Sequence, residues 1–234
     1  MSRPAVVVMC KAPRAGEVKT RLTPFLSAAD AAALAACMFQ DSFRNAARAT
    51  REVLVAYAPD DGRAALEALL RAESLAIGVQ FFEQRGADLG ERLEAAAAHA
   101  FARGFAPVLI KGTDTFIPAE LLAAALRALS AGDADLALGP AEDGGYYLVG
   151  LRSPAAPGLF RGVAWSTALA YRQTADNASR LALRLLEVLP RLPDVDTPAD
   201  FERLRRELLA DPERALLLAP STYRWLEKRE DSGQ

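Results

Sequence analysis

Residues 5–10 read Ala-Val-Val-Val-Met-Cys, six apolar residues in a row with three consecutive valines. A strand with one face in water alternates apolar and polar positions, so a strand apolar at every position has to be covered on both faces. The run is short and β-branched, which favours a strand over a helix. The N-terminal segment therefore demands a central strand of the parallel kind, sandwiched between two helical layers.

The pattern that follows supplies those layers. A polar loop over 11–23 leads into residues 27–49, where Leu34, Met38, Phe39 and Phe43 recur at helical spacing behind Ser27 and Asp30 as capping-type residues. Residues 52–58 predict a second strand, with Asp60 or Asp61 capping a helix to about residue 71, and residues 77–82 predict a third strand. A helix is expected over 88–103, with Leu89, Leu93, Ala96 or Ala97, and Phe101 on one face and Gly104 as its stop. Residues 107–110 predict a fourth strand, Pro118 opens a helix over 119–129, and 134–138 is a fifth strand. A β-rich run over 145–151 follows a Gly-Gly turn, then come a helix over 166–182, a short strand over 185–189 and a helix over 197–209. The segment between 140 and 166 is expected to be irregular, and the last dozen residues to fray. This is one α/β domain spanning 1–234, with the tail from about 221 peripheral.

Composition narrows the function. Apolar residues make up 51% of the 234 and charged residues 25%, a globular balance. A net charge of −2 excludes a bulk electrostatic footprint for nucleic acid. No apolar run reaches the roughly 18 residues of a membrane span. The N-terminal apolar stretch is too short for a signal peptide, and Cys10 and Cys37 read as free thiols, so a cytoplasmic location is expected. With two cysteines and one histidine, a Cys/His zinc site is excluded; His99 reads as a helix-face residue.

In a parallel sheet, ligands sit beyond the carboxyl ends of the strands, which singles out the loops there. The first carries Lys11, Arg14, Lys19 and Arg21 against one anion, Glu17, a local positive site suited to a diphosphate; Gly16 offers close backbone approach. It matches neither a Walker A nor a dinucleotide fingerprint. Gly112-Thr113-Asp114-Thr115 places a carboxylate at the end of the fourth strand, either for a divalent cation bridging to phosphate or as a turn opener. Asp143-Gly144-Gly145 is a turn signal, and the adjacent Tyr146 and Tyr147 could stack on a substrate ring. In Asp194-Val195-Asp196-Thr197-Pro198-Ala199-Asp200 a helix start explains the last four residues, but not two carboxylates one residue apart. Those repel unless they face different partners or share a cation.

Taken together, Lys11-x-Pro13-x-x-Gly16-x-Val18-Lys19-Thr20-Arg21-Leu22, Gln84-x-Gly86-x-Asp88-Leu89-Gly90-x-Arg92, Gly112-Thr113-Asp114, Gly139-Pro140-x-x-Asp143-Gly144-Gly145-Tyr146-Tyr147-Leu148, Trp165-Ser166 and Asp194-x-Asp196-Thr197-Pro198-x-Asp200 resemble a bacterial family of small GT-A-like nucleotide-diphospho-sugar transferases, associated with arsenosugar biosynthesis. The family is distantly similar to the phospholactate and molybdenum-cofactor guanylyltransferases. The resemblance spans residues 4–205. It implies a GT-A fold, a three-layer sandwich with a mostly parallel sheet and one antiparallel strand near the site. It implies a nucleotide or nucleotide-sugar donor, a small-molecule acceptor and Mg²⁺ or Mn²⁺. On the matched positions, Lys11, Pro13, Gly16, Lys19 and Arg21 would hold the nucleotide, with Lys19 and Arg21 stabilising the leaving phosphates. Asp114 and Asp196 would bind the metal. Asp88, Gly90, Gly112 and Thr113 would shape the pocket, and Gly144, Gly145 and Tyr146 its acceptor side, with Asp143 orienting or deprotonating the acceptor.

Two positions depart from the family. Phe116 replaces a usual proline, and Lys111 stands where an apolar residue is usual, close enough in sequence to pair with Asp114 in place of a metal. The leading expectation is glycosyl transfer. The alternatives are nucleotidyl transfer with pyrophosphate release, and nucleotide binding without catalysis.

Overall fold

The apolar run forms β1 (Arg3–Lys11), in the interior of the sheet. In this computed structural model, which describes residues 3–23, 25–75, 78–186 and 189–232, Val6, Val8 and Cys10 enter one core while Ala5, Val7 and Met9 enter another. A strand serving two cores has no polar position to give up, which is why its sequence has none.

β1 pairs in parallel with β2 (Glu52–Ala58) and with β4 (Phe105–Lys111), and β2 pairs in parallel with β3 (Gln80–Glu83). β5 (Leu136–Pro140) pairs with β7 (Leu185–Leu186) in parallel, while β6 (Tyr146–Leu151) runs antiparallel to both β4 and β5. The order is β3-β2-β1-β4-β6-β5-β7, so the one reversed strand lies beside β4. The expected α/β architecture and its single antiparallel strand are present.

α1 (Ala28–Ala49), α2 (Arg63–Ala72) and α4 (Ala119–Ala131) cover one face through Phe39, Phe43, Leu66, Leu70 and Leu122. α3 (Leu89–Ala102) and α5 (Ala170–Arg180) cover the other through Leu93, Ala97, Ala100 and Ala178. Ser27 caps α1 by accepting the Asp30 N–H at 3.1 Å, and His99 stacks on Phe82, consistent with a structural role. Both thiols are free; burial pushes the Cys37 thiol up to about 12 and Cys10 higher still, which makes them poor nucleophiles. Among the described residues, no helix is long and apolar enough to cross a membrane.

Several expectations shift. Neither Asp60 nor Asp61 caps α2; a 3-10 turn over Asp60–Gly62 intervenes, and Asp60 accepts the N–H of its own neighbour Asp61. The third strand is β3, starting at Gln80; Ile77, and residues 187 and 188 of the last predicted strand, lie outside the described residues. Leu89 is not in the core but 43% exposed at the cavity mouth. The helix expected from 166 starts at Ala170, after a stretch in which Ser166 takes a positive φ.

The largest difference is the C-terminus. After α6 (Pro198–Ala210), α7 (Pro212–Leu218) and α8 (Pro220–Ser232) pack with α1 around a third core containing Leu22, Leu34, Met38, Phe201, Tyr223 and Leu226. Of the last dozen residues, expected to fray, those described, 223–232, lie in the docked α8, while 233 and 234 lie outside the described residues. The N-terminus of α8 is capped by Asp41 of α1, which accepts the N–H groups of Ser221 (2.8 Å) and Thr222 (2.9 Å) and the Thr222 hydroxyl (2.8 Å). A cap supplied 180 positions upstream leaves no local signal.

Candidate functional site

A cavity of about 490 Å³ opens where β1 and β4 end, lined by Lys11, Lys19, Arg21, residues 112–115, Tyr146, Asp194 and Asp196 among others. That is the carboxyl edge of the sheet, as strand polarity demands. Three chain segments build its polar end.

The first follows β1. Leu22, fully buried in the third core, anchors a 3-10 turn over Thr20–Leu22 and holds the loop against the fold. Lys19 precedes that turn at φ 49°, a left-handed conformation unusual for a residue with a side chain. It directs a side chain only 6% exposed inward, ammonium first, onto the carboxylates. The second segment follows β4 and brings Asp114. The third runs through 194–196 and is tied to the second by the Val195 N–H donating to Asp114 O at 3.0 Å. Asp196 is set by α6, whose Thr197 and Asp200 form a reciprocal capping box. Arg203 donates to Asp194 O at 3.2 Å and reaches Glu142 at 2.8 Å, fixing the segment from the other side.

These three segments meet at Lys19 Nζ, which donates to Asp114 Oδ1, to Val195 O at 2.6 Å and to Asp196 Oδ1 at 3.4 Å. Arg21, 73% exposed, stands 3.8 Å from Asp196. Asp194 and Asp196 resolve their repulsion by facing different partners: Asp196 turns to the cations, while Asp194 accepts from the Thr115 hydroxyl. Asp194 is still not compensated. Burial pushes its pKa up to about 6; the Thr115 hydrogen bond opposes this, and the carboxylates of Asp143, Asp114 and Asp196 add to it.

Lys111 does not pair with Asp114. It borders the cavity but is only 2% exposed, and it donates to Ser42 Oγ of α1 at 2.9 Å; burial pulls its pKa down to about 7, against a smaller upward pull from the Asp114 charge. The lysine that engages Asp114 is Lys19. Phe116 packs on the third core.

Of the expected site residues, Lys11, Lys19, Arg21, Gly112, Thr113, Asp114, Tyr146 and Asp196 line the cavity, whereas Pro13, Gly16, Asp88, Gly90, Asp143, Gly144 and Gly145 do not. All of the second group but Pro13 have visible local structural jobs. Gly16 takes φ 81° in open space, so it serves a turn and not a close approach. Asp88 caps α3 by accepting the Glu91 N–H at 2.9 Å. Gly90 passes beneath Trp165, where a Cβ would come within 2.9 Å of the indole. Gly144 is packed against Ala168. Asp143 Oδ1 accepts the Gly145 N–H at 2.8 Å, a turn contact. Tyr146 presents its ring to the cavity and meets Trp165 edge-on at 6.1 Å; its hydroxyl is buried beside Thr174 without a well-formed hydrogen bond, and burial raises its pKa. Gln84 and Thr115, which lie in the expected strand-end stretches without an individual role expected of them, also line the cavity, as does Leu89.

Among the described residues, no group of three or more His, Cys, Asp and Glu side chains is gathered to hold a metal ion. The pair Asp114 and Asp196 supplies two carboxylates that would suit a cation keeping other ligands, at the place where Lys19 Nζ stands. Mg²⁺ is usually held by one or two carboxylates plus substrate phosphates and water, and here an ammonium already occupies the space between the two carboxylates.

Comparison with known proteins agrees with the fold. Residues 42–167 match the model of a family described as uncharacterised proteins conserved in bacteria, DUF2064. A protein of Desulfovibrio desulfuricans, provisionally named a nucleotide-diphospho-sugar transferase, is 34% identical, with 99% of this chain and 96% of that one covered and a TM-score of 0.87. The chain belongs to this family, and its fold is that of the nucleotide-diphospho-sugar transferases. The inositol-1-phosphate CTP transferase of T. maritima shares the fold at 12% identity, with 90% and 96% of the two chains covered and a TM-score of 0.56. No curated protein matches the chain.

Proposed function

We propose that this chain is a nucleotide-dependent transferase that moves a glycosyl group from a nucleotide-diphospho-sugar to a small-molecule acceptor. The observation that carries the reading is the meeting of Lys19 with Asp114 and Asp196 in a cavity large enough for a nucleoside diphosphate. A buried cation between carboxylates at a strand end is positioned for a diphosphate and its counter-ion. The name of the 34%-identical relative points the same way.

In this reading Lys19 and Arg21 bind the diphosphate and offset the charge that grows on it as the bond from the anomeric carbon to phosphate breaks. Asp114 and Asp196 would hold Mg²⁺ or Mn²⁺, which when bound would neutralise charge on the diphosphate leaving group. The acceptor oxygen forms the new bond to that carbon. Its proton passes to Asp194, which lines the cavity, in preference to Asp143, which does not. Tyr146 lines the same cavity, and its ring would flank the acceptor. The free thiols suit a reducing compartment such as the cytoplasm.

The test is product analysis. The protein is incubated with nucleotide-sugars and with nucleoside triphosphates plus sugar phosphates, with Mg²⁺ or Mn²⁺. Release of a nucleoside diphosphate is expected. Release of pyrophosphate instead would assign nucleotidyl transfer, and no turnover with any donor would contradict the reading.

A further inference from the structure

Asp194 and Asp196 lie on residues 193–196, a stretch that belongs to no helix or strand. Upstream, Leu192 is paired to the end of β5: its N–H donates to Pro140 O and its carbonyl accepts the Glu142 N–H, both at 3.2 Å. Pro193 has no N–H, so it cannot carry that pairing onward. Downstream, the capping box of α6 takes hold at Thr197. The two carboxylates hang between these anchors, where no ladder sets their place.

Arg203 of α6 reaches back across that gap. Its guanidinium donates through Nη1 to Glu142 Oε2 at 2.8 Å, and through Nη2 to Asp194 O at 3.2 Å and Asp200 Oδ1 at 3.3 Å. Asp200 in turn accepts the N–H groups of Asp196 at 3.3 Å and Thr197 at 2.8 Å. One planar fork therefore joins the turn after β5, the backbone of Asp194 and the cap that holds Asp196, and a rigid fork fixes the relative placement of what it bonds. The ion pairs of Arg203 are with Glu142 and Asp200. At Asp194 it bonds the backbone and not the carboxylate, so what it supplies there is position. It does not line the cavity.

We propose that Arg203 is a positioning residue for the site: by holding Asp194 O against the turn at Glu142, it sets where Asp196 meets Lys19 and where Asp194 faces the cavity. The proposal rests on the reading of the cavity as a site for a diphosphate with its counter-ion. The lever is short. Asp194 O and Val195 O are successive carbonyls, taken by Arg203 and by Lys19 at 2.6 Å respectively. The peptide unit between them is planar and stiff, so a shift at Asp194 passes to the Lys19 ammonium. The first contact to be lost is Lys19 to Asp196 Oδ1 at 3.4 Å. That distance already exceeds the usual range of about 2.7–3.2 Å, so a displacement of a few tenths of an ångström removes the bond.

The experiment measures binding of UDP, GDP and inorganic pyrophosphate by calorimetry with Mn²⁺ present. It compares the native chain with Arg203→Ala, Arg203→Lys, Asp196→Asn and the double variant of Arg203→Ala with Asp196→Asn. Arg203→Ala is expected to weaken, by about tenfold, whichever probe the native chain binds. Arg203→Lys keeps the charge but cannot bond Glu142 and Asp194 O through one planar fork, so it should still lose about threefold or more. In the Asp196→Asn background, Arg203→Ala should cost less than about twofold further, because both changes act through the same contact; a general loosening of the structure would instead multiply with it. Full affinity in Arg203→Lys, or losses that multiply in the double variant, overturns the proposal and leaves the nucleotide reading standing. Arg203→Lys decides the matter should Arg203→Ala fold poorly. Failure of the native chain to bind any of the three probes overturns the nucleotide reading and this proposal with it.

Discussion

Asp41 and Asp194 are both carboxylates withdrawn from water, and the protein treats them in opposite ways. Asp41, fully buried in α1, is surrounded by donors: two N–H groups and a hydroxyl from α8, and the Arg44 guanidinium at 2.7 Å. Burial raises its pKa and those partners pull it back. Asp194 has one hydroxyl donor and three carboxylates near enough to raise its pKa further. The first arrangement is complete within the chain. The second has surplus negative charge, which the proposed cation would offset. A buried charge supplied with its own partners marks a structural joint; one left in deficit marks a place where a ligand finishes the structure.

The variants that sharpen this contrast differ in size. Asp114→Ala and Lys19→Ala should each lower turnover with the true donor by about 10²–10³-fold, since each removes charge stabilisation realised at the leaving group. Their melting temperatures should stay near that of the native chain, so kinetics and melting are measured on the same samples. Full turnover in both variants would break the site assignment.

Asp41→Ala should do the reverse. It orphans three buried donors and Arg44, at about 3 kcal/mol, or roughly 6–12 °C in melting temperature for a chain of this size. Nucleotide affinity should be unchanged. A mild melting change would show that α8 is held by its apolar contacts alone.

Asp194→Asn should stabilise the ligand-free protein. A carboxyl whose folded pKa is raised to about 6 costs stability as pH climbs from its unfolded value near 4 through that folded value. The variant should therefore gain about 1–2 kcal/mol at pH 7.5, after allowance for solvent screening, and nothing below about pH 4. Denaturant midpoints across that range check the sign. The smallest effect belongs to Lys111→Met, which keeps the volume and removes a buried amine bonded only to Ser42. Stability should change by less than about 1.5 kcal/mol and metal-dependent binding by less than about threefold. A large gain in metal affinity would mean that Lys111 competes for Asp114 after all.

The core of the fold was legible because β1 has no polar residue and the helices facing it carry apolar stripes; both are local patterns. The carboxyl-edge loops were legible for the same reason, since strand polarity places Lys19, Asp114 and Asp196 together once the strands are known. What escaped depended on contacts distant in sequence. α8 buries Tyr223 and Leu226 behind a cap from Asp41, and nothing within residues 220–232 announces it. Asp143 and Gly144 carry a motif that looks chemical yet forms a turn packed on Ala168. Gln84 gives no chemical signal alone; its placement comes from two carbonyls on two other strands. Lys111 was expected at Asp114 by proximity in sequence, but alternation along β4 sends its side chain toward α1 instead.

The central claim is that the carboxylates around Lys19 are completed by a divalent cation together with a nucleoside diphosphate. Calorimetric titration of UDP and GDP with Mn²⁺ present and then chelated tests it most directly, on the native chain and on Asp114→Ala. The account predicts binding of at least one of the two that weakens by tenfold or more when Mn²⁺ is removed, and a Mn²⁺ effect that disappears in Asp114→Ala. Binding of equal strength with and without the cation, unchanged by Asp114→Ala, would contradict it.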